Sequence, residues 1–110
     1  MKKYAIKSWT DDDCAKVQDA FELMQGKHTL LLVSILVLEG KKSFGELKRA
    51  IDGISTKILS QRLTMLVQSN VIKNERVMEG KVKKSYYYID KGKKEFENIL
   101  KAFKAYSTTP

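Results

Sequence analysis

Little in this sequence can do chemistry on its own. Its 110 residues hold one cysteine, Cys14, and one histidine, His28. A lone cysteine excludes an intramolecular disulfide and any multi-cysteine metal site. His28 has no second histidine or cysteine nearby, so it reads as a core-edge or surface residue rather than a metal ligand. No apolar run reaches the roughly 18 residues of a membrane span. The longest, Leu30 to Leu38 (LLLVSILVL), has the length of a buried core element. The N-terminal MKKYAIKSW is basic but no apolar stretch follows it, so it is not a signal peptide and the reducing cytoplasm is the expected location. No nucleophile–base–acid arrangement, phosphate-binding glycine loop or metal-ligand spacing occurs. These absences predict a non-enzymatic protein with no cofactor or metal, folded as one domain over residues 1–110.

What is plentiful is positive charge, and it is unevenly placed. Residues 1–40 carry five lysines and six acids, a net of −1, whereas residues 41–110 carry sixteen Lys or Arg and seven acids, a net of +9. That half therefore presents a polyanion-facing surface; charge alone does not separate DNA from RNA or anionic lipid.

The periodicities give an order of elements. Residues 1–12 form an arm bearing Tyr4, Ile6 and Trp9, and Thr10 with Asp11-Asp12-Asp13 offers the capping chemistry of a helix start. A first helix over 13–24 follows, with Val17, Ala20, Phe21 and Met24 at helical spacing. Gly26 breaks it. The apolar run from Lys27 to Leu38 reads as a second helix packed on several sides, with a buried strand as the competing reading. Ser43-Phe44-Gly45-Glu46 is a capping box that opens a helix over 44–51. After the turn Asp52-Gly53-Ile54, Ser55 caps a fourth helix reaching Ser69, whose stripe is Ile58, Leu59, Leu63, Leu66 and Val67. Asn70 ends it. Alternation then predicts two antiparallel strands, 71–78 and 83–89, around a tip at Glu79-Gly80-Lys81. Asp90 caps a last helix over 91–106 with Phe96, Ile99, Leu100, Phe103 and Tyr106 on one side, and residues 107–110 fray. The fold class is α+β, mostly α: about five helices and a two-stranded β-hairpin, the winged helix-turn-helix arrangement.

In that arrangement the fourth helix is the one able to lie in a DNA major groove. Its polar face near the start carries Ser55, Thr56, Lys57, Ser60, Gln61 and Thr64, with Arg62 at the flank. Hydroxyls, an amide and cations pair with base edges and phosphates. Lys81, Lys83 and Lys84 make the hairpin a wing that rests on the DNA backbone or enters the minor groove; such lysines equally guard an exposed strand edge. Tyr86-Tyr87-Tyr88 resembles a platform for stacking single-stranded bases, but alternation turns Tyr87 away from the other two, and at least one ring belongs to the core. Cys14 is a candidate redox-sensing thiol with conflicting influences: the helix dipole lowers its pKa while three aspartates raise it. The plainer reading is a small apolar residue packed under the first helix.

The chain resembles the HxlR-type winged helix-turn-helix regulators from about Cys14 to Tyr106. The matching residues are Cys14, Gly26-Lys27 before the apolar helix, Phe44-Gly45-Glu46-Leu47, and above all Gly53-Ile54-Ser55-Thr56-Lys57-Ile58-Leu59-Ser60-Gln61-Arg62-Leu63, which follows the pattern GIS-x-K-x-L-[ST]-x-R-L. It departs from the family in lacking a proline after the cysteine and in carrying His28 where tryptophan is common and Asn70 in place of glycine. The resemblance implies a homodimer joined through its N- and C-terminal helices, reading a palindromic operator in double-stranded DNA, with the recognition-helix and wing residues above at the DNA. Some members of that family sense electrophiles or oxidants through an N-terminal cysteine, and Cys14 occupies that region, which makes it the candidate sensor. The expectation is a homodimeric transcriptional regulator in the cytoplasm, with no membrane partner. Its alternatives are a winged-helix protein–protein adaptor and an RNA or single-strand binder.

Overall fold

The computed structural model describes residues 6–26 and 28–106. Tyr4 of the expected arm, Lys27 and the tail 107–110 lie outside the described residues. The elements run α1 (Asp11–Met24), α2 (Thr29–Glu39), β1 (Lys42–Ser43), α3 (Phe44–Ala50), α4 (Thr56–Gln68), β2 (Lys73–Glu79), β3 (Val82–Tyr88) and α5 (Lys93–Tyr106).

Local chemistry sets the helix starts. Thr10 Oγ1 accepts from the Asp13 amide at 3.0 Å and Asp13 accepts from the Thr10 amide at 3.0 Å, so α1 begins at Asp11, two residues before the predicted start. Ser43 and Glu46 make the same reciprocal pair at the head of α3, at 3.1 and 3.0 Å. Ser55 Oγ accepts from the Ile58 amide at 3.1 Å and starts α4. The apolar run is a helix, not a strand, but it starts at Thr29 rather than Lys27. His28 precedes it in the left-handed region, φ 69, so no helical backbone passes through that residue. Asn70 at φ 60 ends α4, as its type predicts. The last helix also starts late, at Lys93. Gly92, φ 74, rather than Asp90 opens it, its carbonyl accepting from the Phe96 amide at 2.9 Å.

α2 is the centre of the core. Its Leu32, Val33, Leu36 and Val37 are fully buried, and Leu47 and Ile51 of the α3 region, Ile54, and Leu59, Leu63 and Leu66 of α4 close around them. Burying each such side chain is worth about 1.5–3 kcal/mol, so α4 is anchored by its inner stripe and keeps its outer face free. α5 packs on α2 through Phe96 and Leu100.

The sheet has three strands in the order β1-β3-β2, one more than the hairpin expected. β1 pairs antiparallel with β3 through Lys42↔Tyr87 and Ser43↔Tyr86. Two residues are too few to show alternation, which is why this strand leaves no mark in the sequence. The register Val77↔Lys84 and Glu75↔Tyr86 puts Tyr86 and Tyr88 on one face and Tyr87 on the other, and Tyr87 packs against the core.

Candidate nucleic-acid interface

The second helix of the pair α3–α4 presents a polar face with no acidic residue anywhere along it. Leu59, Leu63 and Leu66 point inward, so at 100° per residue Lys57, Gln61 and Thr64 fall on the opposite side, and all three are exposed. Ser55, Thr56 and Ser60 are exposed around them. The positive end of the helix dipole lies at this same end, beside Lys57.

Arg62 sits at the flank of this face, as its place in the sequence suggests. It is half-buried, and its Cζ and Nη1 stand 3.2 Å from the place a side chain on Gly26 would occupy. Its guanidinium is turned toward the α1–α2 junction, away from the face that holds Lys57 and Gln61. The reason is its angle, one helical step from the buried stripe.

The wing lysines divide. Lys81 sits in the two-residue tip after Gly80, φ 63, and is exposed. Lys83 lies on the same face of β3 as Ser85 and Tyr87, toward α4. Lys84 is paired: its Nζ is 3.1 Å from Glu79, whose carboxylate also accepts from the Tyr86 hydroxyl. Those two partners hold the Glu79 carboxyl below its usual range, the Tyr86 bond foremost. On the same outer face Lys41 reaches Glu75 at 2.7 Å and lies 5.4 Å over the Tyr88 ring. Tyr86 and Tyr88 are thus engaged with the protein's own charges.

Ser60, Lys83 and Lys84 come together along one cleft of about 490 Å³, with Gly45 and Arg49 of α3 on its other wall. Arg49 was not among the residues the sequence singled out, because nothing local connects the end of α3 to the wing.

Cys14 is buried, 6% exposed, the one buried residue of α1. Burial pushes its thiol pKa up, and Asp11 and Asp13 push it further. This environment favours a packed thiol over a thiolate.

Among the described residues no single helix is long and apolar enough to cross a membrane. Large apolar side chains are exposed on the other helices: Trp9 ahead of α1, Phe21 on α1, Leu31 and Leu38 on α2, and Ile99, Phe103 and Tyr106 on α5.

A helix-turn-helix seated on a core helix, followed by a hairpin whose inner face looks back at the second helix, defines a winged helix-turn-helix protein. The chain belongs to the HxlR-like helix-turn-helix family of transcriptional regulators, whose model matches residues 23–109. It is 33% identical over 79 residues to the HTH-type transcriptional regulator YodB of Bacillus subtilis, a match covering 72% of this chain and 70% of YodB. The reduced form of YodB superposes with a TM-score of 0.73 at 25% identity, covering 84% of this chain and 88% of that one. A MarR-family regulator from Enterococcus faecalis V583 shares the fold at TM-score 0.74 and 22% identity, over 94% of this chain and 90% of its own. The redox regulator HypR in its reduced form does so at TM-score 0.70 and 22% identity, over 83% and 88%.

Proposed function

We propose that the protein regulates transcription in the cytoplasm as a homodimer that binds double-stranded DNA at a palindromic operator. The acid-free exposed face of α4 carries this reading: Lys57, Gln61 and Thr64 on one side of a helix anchored only by its other side. Such a face can enter a major groove without disturbing the core. Ser55, Thr56 and Ser60 supply short donors around it, and Lys81 and Lys83 of the wing supply cations for the backbone. Arg62 holds the helix in place and Lys84 stiffens the wing through Glu79.

The dimer reading rests on the exposed large apolar side chains of α1, α2 and α5, Phe21, Ile99, Phe103 and Tyr106 among them on the terminal helices. A two-fold axis through them makes both α4 faces available to a palindrome. We assign Cys14 a packing role. YodB and HypR are described by their redox forms, but here the thiol is buried and flanked by Asp11 and Asp13. Single-strand stacking is disfavoured because Tyr86 and Tyr88 are engaged by Glu79 and Lys41. A protein–protein adaptor would leave Lys57 on the acid-free face of α4 and the wing lysines Lys81 and Lys83 unused.

Selection of genomic duplex fragments with the purified protein, followed by competition binding, tests this. The wild type prefers its selected duplex over unrelated duplex and over single strands. The variant Lys57→Ala/Gln61→Ala loses that preference, each lost base contact being worth about 1–3 kcal/mol, while retaining the wild-type circular dichroism spectrum. Equal preference in the variant would remove α4 as the reader.

A further inference from the structure

The cleft between α3, α4 and the wing has a composition that the helix-turn-helix reading does not require. Its lining includes Ser43, Ser60 and Ser85 with Arg49, Lys83 and Lys84, and no aspartate or glutamate. The three cations are not equivalent. Lys84 is held by Glu79 at 3.1 Å, whereas Arg49 and Lys83 make no ion pair among the described residues. Arg49 also has a defined place: its guanidinium folds back over Gly45, where an added Cβ would lie 3.3 Å from Nη1. The nearby Glu46 accepts from the Ser43 amide at 3.0 Å and acts on Arg49 through space, without an ion pair. Two cations outside any ion pair among the described residues, and hydroxyls from separate elements, therefore line one cleft with no acid in its lining.

We propose that this cleft seats one phosphodiester of the DNA backbone, with Arg49 and Lys83 as its charged ligands and Ser60 and Ser85 as hydroxyl donors. The proposal rests on the DNA-binding reading and deepens it. The strand it holds is the one passing from the groove occupied by α4 to the wing. Arg49 suits the role because its planar fork donates two parallel hydrogen bonds to phosphate oxygens. The charged side chains of the cleft, Arg49, Lys83 and Lys84, are exposed, so water screens them and a free phosphate ion gains little there. A strand already docked on α4 presents its phosphate at high effective concentration, which makes the same weak site effective.

Equilibrium binding by fluorescence anisotropy over a series of salt concentrations tests this, using the full chain, its selected duplex and an unrelated duplex. Arg49→Gln and Lys83→Gln each lower the slope of log K against log salt by about 1 and weaken both duplexes alike, about tenfold near 0.1 M salt. The preference between duplexes is unchanged, and Arg49→Lys restores the slope. Lys94→Gln, an equal charge change on exposed α5, leaves the slope as in the wild type. If Arg49→Gln behaves like Lys94→Gln while the wild type binds duplex, the clamp is wrong and the DNA-binding reading stands. If the wild type binds no duplex, both fall. Inorganic phosphate at matched ionic strength leaves wild-type binding unchanged; a loss that Arg49→Gln abolishes would overturn the backbone assignment in favour of a small-anion site.

Discussion

Gly26, in the link between α1 and α2, and Arg62, in the middle of α4, occupy one space. A Cβ on Gly26 would stand 3.2 Å from the Arg62 guanidinium and 2.8 Å from Thr29 Oγ1. The link passes against the stem of the recognition helix with no room for a methyl group. Arg62 is long and can give way, but Thr29 is fully buried at the first turn of α2 and cannot. Gly26→Ala is therefore expected to destabilise the fold by about 1–3 kcal/mol through overpacking. Thermal denaturation would show it as a drop of roughly 4–8 °C per kcal/mol. Adding Arg62→Ala recovers only part of the loss, since the Thr29 contact remains. An unchanged midpoint in Gly26→Ala would mean the link and α4 are not in close contact.

The reciprocal caps make stability depend on pH in the acid range. Glu46 is held below its ordinary value of 4.5 by the Ser43 amide first and the Ser43 hydroxyl second, and Asp13 below 3.8 by Thr10 in the same way. A carboxyl whose folded pKa is depressed stabilises the fold fully above its unfolded pKa and loses that contribution as pH falls through the folded one. Urea midpoints should accordingly decline between about pH 5 and 3. Glu46→Gln should start lower at neutral pH and decline less steeply. Parallel curves for wild type and variant would show that the cap carries no proton linkage.

Cys14 titrates in the opposite sense. Burial, then Asp11 and Asp13, raise its thiol pKa above the ordinary 9.0. The thiolate is the nucleophile, so alkylation by iodoacetamide at neutral pH should run slower than for an unfolded-chain cysteine and accelerate only at alkaline pH. Its stabilising contribution is full below the unfolded pKa and lost as pH rises through the folded one. Cys14→Ser should leave duplex binding and its response to diamide unchanged. A diamide response present in the wild type and absent from the variant would make Cys14 a sensor despite its burial.

The features legible in the sequence were those carried by neighbours three or four residues apart. Ser43 with Glu46 and Ser55 with Ile58 place helix starts without any tertiary information, and the left-handed Asn70 marks a helix end by residue type alone. The stripe from Leu59 to Leu66 fixed which side of α4 faces out. What escaped were relations across the chain. Arg62 reads as a flank residue because its angle lies at the border, and only the approach of Gly26 decides which way it turns. Lys84 read as a free cation until the hairpin register brought Glu79 beside it. Arg49 reaches the wing only because Ser43, beside α3, pairs with Tyr86, and a strand of two residues has no sequence pattern. The thiol of Cys14 stood between a dipole and three aspartates, and burial, which no local pattern reports, decided the sign.

The apolar residues of the terminal helices carry the last prediction. Phe103 is 49% exposed and Tyr106 81% on α5, and Phe21 is 53% exposed on α1. Inside a dimer each would be buried twice, once per protomer, because a two-fold interface repeats every contact. Burying a phenylalanine contributes about 1.5–3 kcal/mol, so removing Phe103 from both halves costs roughly 3–6 kcal/mol, and a buried glutamate costs more. Phe103→Glu is thus expected to sediment as a monomer at concentrations where the wild type is a dimer. The same variant should keep its helical spectrum, since Phe96 and Leu100 rather than Phe103 pack α5 onto the core. Its affinity for a palindromic duplex should fall to that for a half-site, because each monomer then binds alone. Sedimentation of Phe103→Glu as a dimer would remove α5 from the interface.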